Sequence, residues 1–418
     1  MLKSWIDNCT SNHERCSLIS GRDPPLPTRV LDLGFSDSDP IRLVESAGMR
    51  EQYICLSYRW GKGEFMEITN AIIDHYKRGI AFEELPRTFQ DTVKITRMLG
   101  IRYLWIDALC IIQNEPDLAD WNRESVRMAD VFQYSYIIIS ATRNNSPFDG
   151  LFKPLTPGQY GPVNVCVVRH PVDGPGATEF VAIGRGYPML SRAWTYQERL
   201  LPPRVLHFNL HEATWECLES HACQCPQCDM PNFTKASANT VFDEDLIKSD
   251  FYNVVLRQRG AETICQDDAP LDCLWRRIVS GYSPPNLTVK SDKLAAVSGI
   301  ADVIQQATGW KYLAGLWRKS LPQDLCWAAY SYSDWKVVGD SPRQPQTRRS
   351  PTWSWASTDQ FILWHPLLSR RDPDFINRFQ IHQHVEILDA GCTLSTPSAT
   401  GPVEDGYLDL RCHIIQVN

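Results

Sequence analysis

Residues 99–113 read Leu99-Gly100-Ile101-Arg102-Tyr103-Leu104-Trp105-Ile106-Asp107-Ala108-Leu109-Cys110-Ile111-Ile112-Gln113, and the predicted fold is organised around them. Its apolar run from Tyr103 to Ile106 is too short for a helix and ends on the charge of Asp107. A continuous apolar run of this length is typical of a strand that is buried on both faces of a parallel sheet. The stretch therefore predicts a central strand with Asp107 at its carboxyl end.

Helical patterns alternate with apolar runs on both sides of this strand. Apolar residues recur at every fourth position over 85–93, and the resulting helix leads directly into the strand. A second helical pattern over 121–132 leads into another apolar run at 136–140, and a further strand is predicted at 53–58. The alternation predicts an α/β fold with a mostly parallel sheet flanked by helices.

The later part of the chain predicts a mixed α+β region. Helical patterns are found at 244–259, 269–281, 290–307 and 312–319. Short strands are predicted at 163–168, 180–183, 205–208, 213–217, 353–356, 383–389 and 407–417. The composition changes between 210 and 240, so we expect a lead-in over 1–49, the α/β domain over 50–210, and a C-terminal region over 211–418 packed on it.

The composition excludes several classes of function. The chain has 418 residues with a net charge of −7, which argues against the basic face that nucleic-acid binding needs. No apolar stretch approaches the roughly 20 residues that span a bilayer. The N-terminus lacks the features of a signal peptide, so the 14 cysteines are expected to be mostly reduced thiols. We therefore expect a cytoplasmic protein that binds neither nucleic acid nor a membrane.

One cysteine-rich segment suggests a structural zinc site. The candidate ligands are Cys217, His221, Cys223, Cys225 and Cys228. The Cys225-Pro226-Gln227-Cys228 knuckle is a good half-site, but four-ligand sites usually draw a second pair from well downstream. Cys265 and Cys273 are possible distant partners, and free thiols in a loop are the alternative.

A second group of metal-ligand residues lies near the N-terminus. Cys9, His13 and Cys16 fall within eight positions of one another. Their spacing is looser than that of the usual zinc motifs, and on this ground we expect no metal site there.

Three sequence blocks stand in a fixed order along the chain. They read Ile54-Cys55-Leu56-Ser57-Tyr58-Arg59-Trp60-Gly61, then residues 99–113, then Ser191-Arg192-Ala193-Trp194-Thr195-Tyr196-Gln197-Glu198. In order and spacing they resemble the signature blocks of the fungal heterokaryon-incompatibility (HET) domain family. The resemblance covers residues ~50–205 strongly and most of the remaining chain weakly.

This resemblance implies a fungal, intracellular protein of non-self recognition and regulated cell death. HET domains are held to be similar in turn to TIR domains, which are flavodoxin-like α/β modules, and some TIR domains cleave NAD. On that analogy the fold is TIR-like, residues 57–61 occupy the first-strand motif, and Glu198 matches the TIR catalytic glutamate. The analogy implies NAD as a substrate, no required cofactor, and activation by self-association or a protein partner.

The residues themselves place a candidate site at the carboxyl ends of the strands, where open α/β sheets bind ligands. Trp194, Gln197, Glu198 and Leu201 share one helix face, which puts a carboxylate on an apolar side. The predicted catalytic residues are Glu198 and Asp107, and the predicted substrate-binding residues are Ser57, Arg59, Trp60, Trp194 and Cys110.

Both predicted catalytic carboxylates also have a structural interpretation. Glu198 can instead fix the end of its helix by pairing with one of three arginines, Arg192, Arg199 or Arg204. Asp107 can instead cap the following turn through its own backbone.

Three functions remain open on the sequence alone. The first is hydrolysis of NAD or a related nucleotide at the nicotinamide–ribose bond, for which one carboxylate suffices because the leaving group needs no general acid. The second is a non-catalytic signalling module that uses the same surface for protein contacts. The third is a small-molecule enzyme of secondary metabolism that reuses the pocket.

Overall fold

The computed structural model divides the chain into two units. It describes residues 1–19, 23–61, 66–114, 119–152, 192–209, 212–224, 244–258, 271–283, 290–330, 349–364, 385–396 and 398–412. The first unit spans Met1–Phe233 and the second spans Thr234–Asn418. In the described segments, no helix has both the length and the apolar character needed to cross a membrane.

The first unit is built from alternating helices and strands. Its helices are α1 (Leu2–Asn12), α2 (Glu14–Ile19), α3 (Ile73–Arg78), α4 (Arg87–Met98), α5 (Asp107–Cys110), α6 (Ala119–Ser125), α7 (Met128–Gln133) and α8 (Ala193–Leu200). Its strands are β1 (Arg29–Asp32), β2 (Arg42–Glu45), β3 (Tyr53–Ser57), β4 (Tyr103–Trp105), β5 (Ile137–Ser140), β6 (Arg204–Phe208), β7 (Ala213–Cys217) and β8 (His221–Cys223).

These strands form one eight-stranded sheet in the order β2-β1-β4-β3-β5-β6-β7-β8. The four central strands, β4, β3, β5 and β6, run parallel, and the strands at both ends are antiparallel. The predicted α/β sheet flanked by helices is confirmed, and its parallel part is the centre. Strands β1 and β2 come from within 1–49, and β7 and β8 come from beyond residue 210.

The central strands lie where the apolar runs predicted them. Every residue of β3, β4 and β5 is buried, as expected for strands covered on both faces. Pro86 precedes α4, and Gly100 follows it with a φ of 74°, so this helix ends where the sequence predicts. The helix predicted over 121–132 is broken into α6 and α7 by a turn at Val126 and Arg127.

The order of the central strands creates a crevice. From β3 the chain crosses to β4 on one side, and it then returns past β3 to β5 on the other side. Open α/β sheets bind their ligands beyond the carboxyl ends of the strands at such a reversal. The residues that end β3 and β5 are therefore expected to line a ligand site.

The second unit is described by itself. Its helices are α9 (Glu244–Gln258), α10 (Leu271–Tyr282), α11 (Ala295–Thr308) and α12 (Leu321–Asp324), and its strands are β9 (Tyr312–Leu313), β10 (Leu316–Trp317), β11 (Trp327–Tyr330), β12 (Phe361–Trp364), β13 (Val385–Leu394) and β14 (Val403–Cys412). In the described part of this unit the strands form three antiparallel pairs, β9–β10, β11–β12 and β13–β14. The mixed α+β region predicted here is confirmed in these segments.

Tryptophans fill much of the core of this unit. The carbonyl oxygen of Gly315 accepts hydrogen bonds from the indole N–H groups of Trp275, at 2.8 Å, and Trp355, at 2.7 Å. The ring of Trp275 also meets the ring of Trp317 edge to face, with centroids 5.4 Å apart. A side chain on Gly315 would collide with the Trp355 ring, so this close approach requires glycine.

Two sequence predictions in the second unit are wrong. The helix predicted at 312–319 is the β9–β10 hairpin, because Ala314 and Gly315 have φ of 46° and 96°, which a right-handed helix excludes. The strand predicted at 353–356 is a 3-10 turn over Trp355–Ser357, because the Ser354 hydroxyl accepts the Ala356 N–H at 3.1 Å. The strands predicted at 163–168 and 180–183 lie outside the described residues.

Candidate functional site

The candidate site lies at the carboxyl end of the parallel strands. Ser57 is the last residue of β3 and stands opposite Ser140, the last residue of β5. Asp107 begins α5 just beyond the end of β4. Glu198 reaches this edge from α8, whose buried residues include Gln197 and Glu198. The helix face predicted to carry a buried carboxylate is confirmed.

A hydrogen bond joins Ser57 to Glu198. The Ser57 hydroxyl donates to Oε2 of Glu198, and the two residues are 3% and 8% exposed. Burial raises the pKa of the Glu198 carboxyl, although the nearby positive charge of Arg192 and the Ser57 hydrogen bond both favour the ionised form. The negative charge of Asp107 raises that pKa further. Glu198 is thus a buried carboxyl whose pKa lies above its usual value, with a hydroxyl donor and a nearby cation that oppose this shift.

Asp107 is held by donors from two strand ends. The indole N–H of Trp60 donates to Oδ2 at 2.7 Å, and the backbone N–H of Ala108 donates to Oδ1 at 2.7 Å. Tyr58 also hydrogen-bonds to this carboxyl. Burial nevertheless raises the pKa of Asp107 above its usual range. Asp107 makes the local backbone contact expected of a turn cap and also connects β3 to α5.

Arg192 is the cation near both carboxyls, Asp107 and Glu198. Its Nη1 donates to the backbone oxygen of Tyr58 at 2.7 Å, and its charge lowers the pKa of both Asp107 and Glu198. The other two arginines considered as partners of Glu198 lie elsewhere: Arg199 donates to Glu216 at 2.8 Å, and Arg204 donates to the Cys9 sulfur at 3.2 Å. Arg192 was predicted only as a structural partner of Glu198.

The other predicted substrate-binding residues differ in accessibility. Arg59 is half-buried and donates to the side-chain oxygen of Asn145 at 3.3 Å. Trp194 is half-buried and meets the ring of Trp121 edge to face, with centroids 6.5 Å apart. Cys110 is 2% exposed, and burial raises the pKa of its thiol to about 12. The Cys110 thiol is therefore protonated at neutral pH and lies in the core.

A second buried polar network lies beside this site and was missed by sequence reasoning. Nδ1 of His207 lies 3.3 Å from the hydroxyl of Thr142, and Nε2 of His207 lies 3.2 Å from Oε2 of Glu216. Arg199, the residue after Glu198, donates to the same Glu216 oxygen at 2.8 Å. His207 and Glu216 lie on the neighbouring strands β6 and β7, Arg199 lies on α8, and Thr142 follows the end of β5. The only sequence signal was the presence of polar residues within otherwise apolar strands.

Among the described residues, Cys217, His221 and Cys223 of the predicted zinc segment do not form a group of potential metal ligands with one another. Cys217 ends β7, and His221 and Cys223 lie on the neighbouring β8, paired with Glu216 and Thr214. Cys225 and Cys228 lie outside the described residues. The sulfur of Cys217 instead lies 3.3 Å from Nδ1 of His13 in the N-terminal segment.

Residues 53–198 match the model of the heterokaryon incompatibility protein (HET) family. The match runs from the first residue of β3 to Glu198 and contains the three sequence blocks, so the resemblance of this part of the chain to HET domains is confirmed. No curated protein and no solved structure matches the chain. The HET domain supports a function of the heterokaryon incompatibility type.

Proposed function

We propose that the HET domain hydrolyses NAD at the nicotinamide–ribose bond, with Glu198 as the catalytic carboxylate. The observation that carries the proposal is the buried carboxyl of Glu198, hydrogen-bonded by Ser57 at the carboxyl end of β3. A carboxylate that is largely withdrawn from water stabilises a positive transition state more strongly than one in bulk solvent. The raised pKa of Glu198 and its position at the strand reversal are both typical of functional carboxyls.

The chemistry needs few protein groups. The bond between C1′ of the ribose and the nicotinamide nitrogen breaks, and its electron pair goes to the nitrogen, whose ring becomes neutral. The ribose passes through an oxocarbenium-like state, which ionised Glu198 stabilises. Water then forms the new bond to C1′ and releases a proton, so that the products are ADP-ribose, nicotinamide and a proton. No general acid is required, because the leaving group is already cationic in the substrate.

The neighbouring residues have distinct roles in this proposal. Ser57 orients the Glu198 carboxyl, and Arg192 favours its ionised form. The charge of Asp107 opposes ionisation of Glu198, and its own donors, Trp60 and Ala108, fix it in place. In this proposal the guanidinium of Arg59, a half-buried residue, pairs with a phosphate of the substrate.

The decisive assay follows nicotinamide release from NAD by the purified full chain, with Glu198→Gln measured in parallel. We also propose that self-association activates the enzyme, so the assay is run over a range of protein concentrations and with chemically induced dimerisation. We expect turnover by the natural chain and a loss of about 100-fold or more in Glu198→Gln. Glu124→Gln is the matched control, since Glu124 is also a buried carboxyl, 6% exposed, and accepts from Thr28 rather than Ser57.

Three results would overturn the proposal. Absence of turnover in every oligomeric state would favour a non-catalytic module that uses this surface for protein contacts. Equal turnover in a folded Glu198→Gln would show that the carboxylate at this position is not catalytic. Turnover of a different small molecule, with NAD left intact, would favour a small-molecule enzyme of secondary metabolism that uses the same pocket.

A further inference from the structure

Four potential metal ligands meet in the first unit. They are Cys9 in α1, His13 at the end of that helix, Cys16 in α2, and Cys217 at the end of β7. Their ligand atoms all lie within 4.8 Å of one another. The three cysteines are 0%, 0% and 3% exposed, so the group is closed to solvent on the thiol side.

We infer that Cys9, His13, Cys16 and Cys217 bind a structural zinc ion that fastens α1 and α2 to strand β7. Zinc holds sulfur at about 2.3 Å and histidine nitrogen at about 2.0 Å in a tetrahedron, which places neighbouring ligand atoms about 3.5–3.8 Å apart. Nδ1 of His13 and Sγ of Cys217 are already 3.3 Å apart. The remaining separations need adjustments of about an ångström at most.

The donor set identifies the metal class. Three thiols and one imidazole are soft or borderline donors, and they select zinc over magnesium or calcium, which prefer oxygen. Four protein ligands fill a tetrahedron and leave no position for a reacting water, which is the arrangement of structural rather than catalytic zinc. The inferred site is thus separate from the proposed chemistry at Glu198.

Arg204 supplies the electrostatic complement to this site. It stands opposite Cys217 in the β6–β7 register and is 1% exposed. Its Nε donates to the sulfur of Cys9 at 3.2 Å, and its Nη2 donates to the backbone oxygen of Cys16 at 3.4 Å. Three thiolates around one zinc ion carry a net negative charge, and hydrogen bonds from a neighbouring cation stabilise such a charge.

The zinc would add to the attachment of α1 and α2 to the sheet. The buried residues of these two helices are Ile6, Cys9, Cys16 and Ile19. Cys9 and His13 are one helical turn apart and so face the same side. A metal that joins them to Cys217, about 200 positions later, closes a very long loop in the chain.

The test measures zinc in the purified full chain by plasma mass spectrometry after dialysis. We expect about one zinc per chain, and a loss of most of it in Cys9→Ser and Cys217→Ser. His13→Cys preserves a four-ligand set and is expected to retain the metal. Cys273→Ser, a buried thiol of the second unit, and the double variant Cys225→Ser/Cys228→Ser are the controls, and both are expected to keep the metal content of the natural chain.

A second measurement uses only the natural chain, so it does not depend on whether the variants fold. Cobalt(II) replaces zinc in the natural chain, and thiolate-to-cobalt absorption with tetrahedral ligand-field bands is expected. Treatment of the zinc-loaded chain with a chelator should then expose Cys9 and Cys16, but not Cys273, to alkylation. Absence of both zinc and the cobalt spectrum would overturn the inference, as would zinc that persists in Cys9→Ser and Cys217→Ser but disappears with Cys225 and Cys228.

Discussion

The carboxyl of Asp324 in the second unit and the two carboxyls of the candidate site in the first unit have different kinds of partner. In the second unit the buried guanidinium of Arg276 meets two carboxylates directly, Asp272 at 2.6 Å and Asp324 at 2.7 Å. In the first unit the carboxyls of Asp107 and Glu198 receive neutral donors from indole, amide and hydroxyl groups. Burial raises the pKa of Asp107, of Glu198 and of Asp324, in the last case to about 6.

This contrast shows that a raised pKa alone does not identify a functional carboxyl. Asp324 lies within an aromatic core, and its oxygens are taken up by Arg276, Ser320 and the backbone of Trp317. Glu198 lies at the carboxyl end of a parallel strand, and its described hydrogen-bond donor is a single hydroxyl, that of Ser57. The position in the fold and the kind of partner therefore separate a structural carboxyl from a candidate catalytic one.

The largest effect is expected from removal of Arg276. Arg276→Met leaves Asp324 buried without its cation, which is expected to cost about 3–5 kcal/mol of unfolding free energy. Hydrogen exchange of peptides from α10 in the full chain measures this change locally. Arg411→Met is the control, because its pair with Glu386 is 73% and 60% exposed and should contribute less than about 1 kcal/mol.

A companion variant sharpens this prediction. Arg276→Met/Asp324→Leu removes both charges and should recover much of the stability lost in Arg276→Met. An equal loss in the single and double variants would show that packing, rather than the unpaired charge, determines the stability at this point.

The next largest effect concerns Lys293. Burial lowers the pKa of this ammonium to about 7, and its Nζ donates to the backbone oxygen of Thr358 above the ring of Trp355. Between about pH 7 and the unfolded value of about 10.4 the unfolded chain binds the proton and the folded chain does not. Lys293 therefore reduces stability increasingly as pH falls across that window. Lys293→Met should remove a stability increase of a few kcal/mol between pH 7 and pH 10, measured by exchange of peptides from β12.

Much of the fold could be predicted because strands buried on both faces require continuous apolar runs, as in β3, β4 and β5. The hairpin at β9–β10 could not, because the positive φ of Ala314 is imposed by packing around Gly315 rather than by the alanine itself. The pattern of leucine and tryptophan over 312–319 fits a helix equally well.

The site was predictable only where its residues lie in contiguous blocks. Ser57 ends β3, Asp107 begins α5 and Glu198 lies in the last turn of α8, and the three meet at the carboxyl end of the parallel strands as expected. The link between His207 and Glu216 depends on the register of β6 against β7, which no local pattern encodes. The same holds for Cys9 and Cys217, whose proximity depends on how α1 packs on a distant strand.

Glu198 is expected to lower the stability of the folded chain at neutral pH. Burial raises the pKa of Glu198 in the folded chain, so the folded chain holds this proton more tightly than the unfolded chain. The stability that the proton contributes is fully present below about pH 4.3 and is lost as pH rises through the raised pKa. Glu198→Gln should therefore be more stable than the natural chain at pH 7, with a difference that shrinks towards pH 4. Exchange of peptides from β3 and α8 measures it. A lower stability of Glu198→Gln at pH 7 would instead assign this carboxylate a structural role.

The smallest effect is expected at Trp60. Trp60→Phe removes the indole N–H that Asp107 accepts at 2.7 Å while keeping an aromatic ring, and the backbone donor at Ala108 remains. Loss of this one hydrogen bond should raise the pKa of Asp107 further and cost about 1 kcal/mol, seen in exchange of peptides from α5. Since the charge of Asp107 raises the pKa of Glu198, Trp60→Phe should also shift the acid limb of nicotinamide release to lower pH. An unchanged acid limb would show that the two carboxyls titrate independently, and the site would then consist of Glu198 and Ser57 without Asp107.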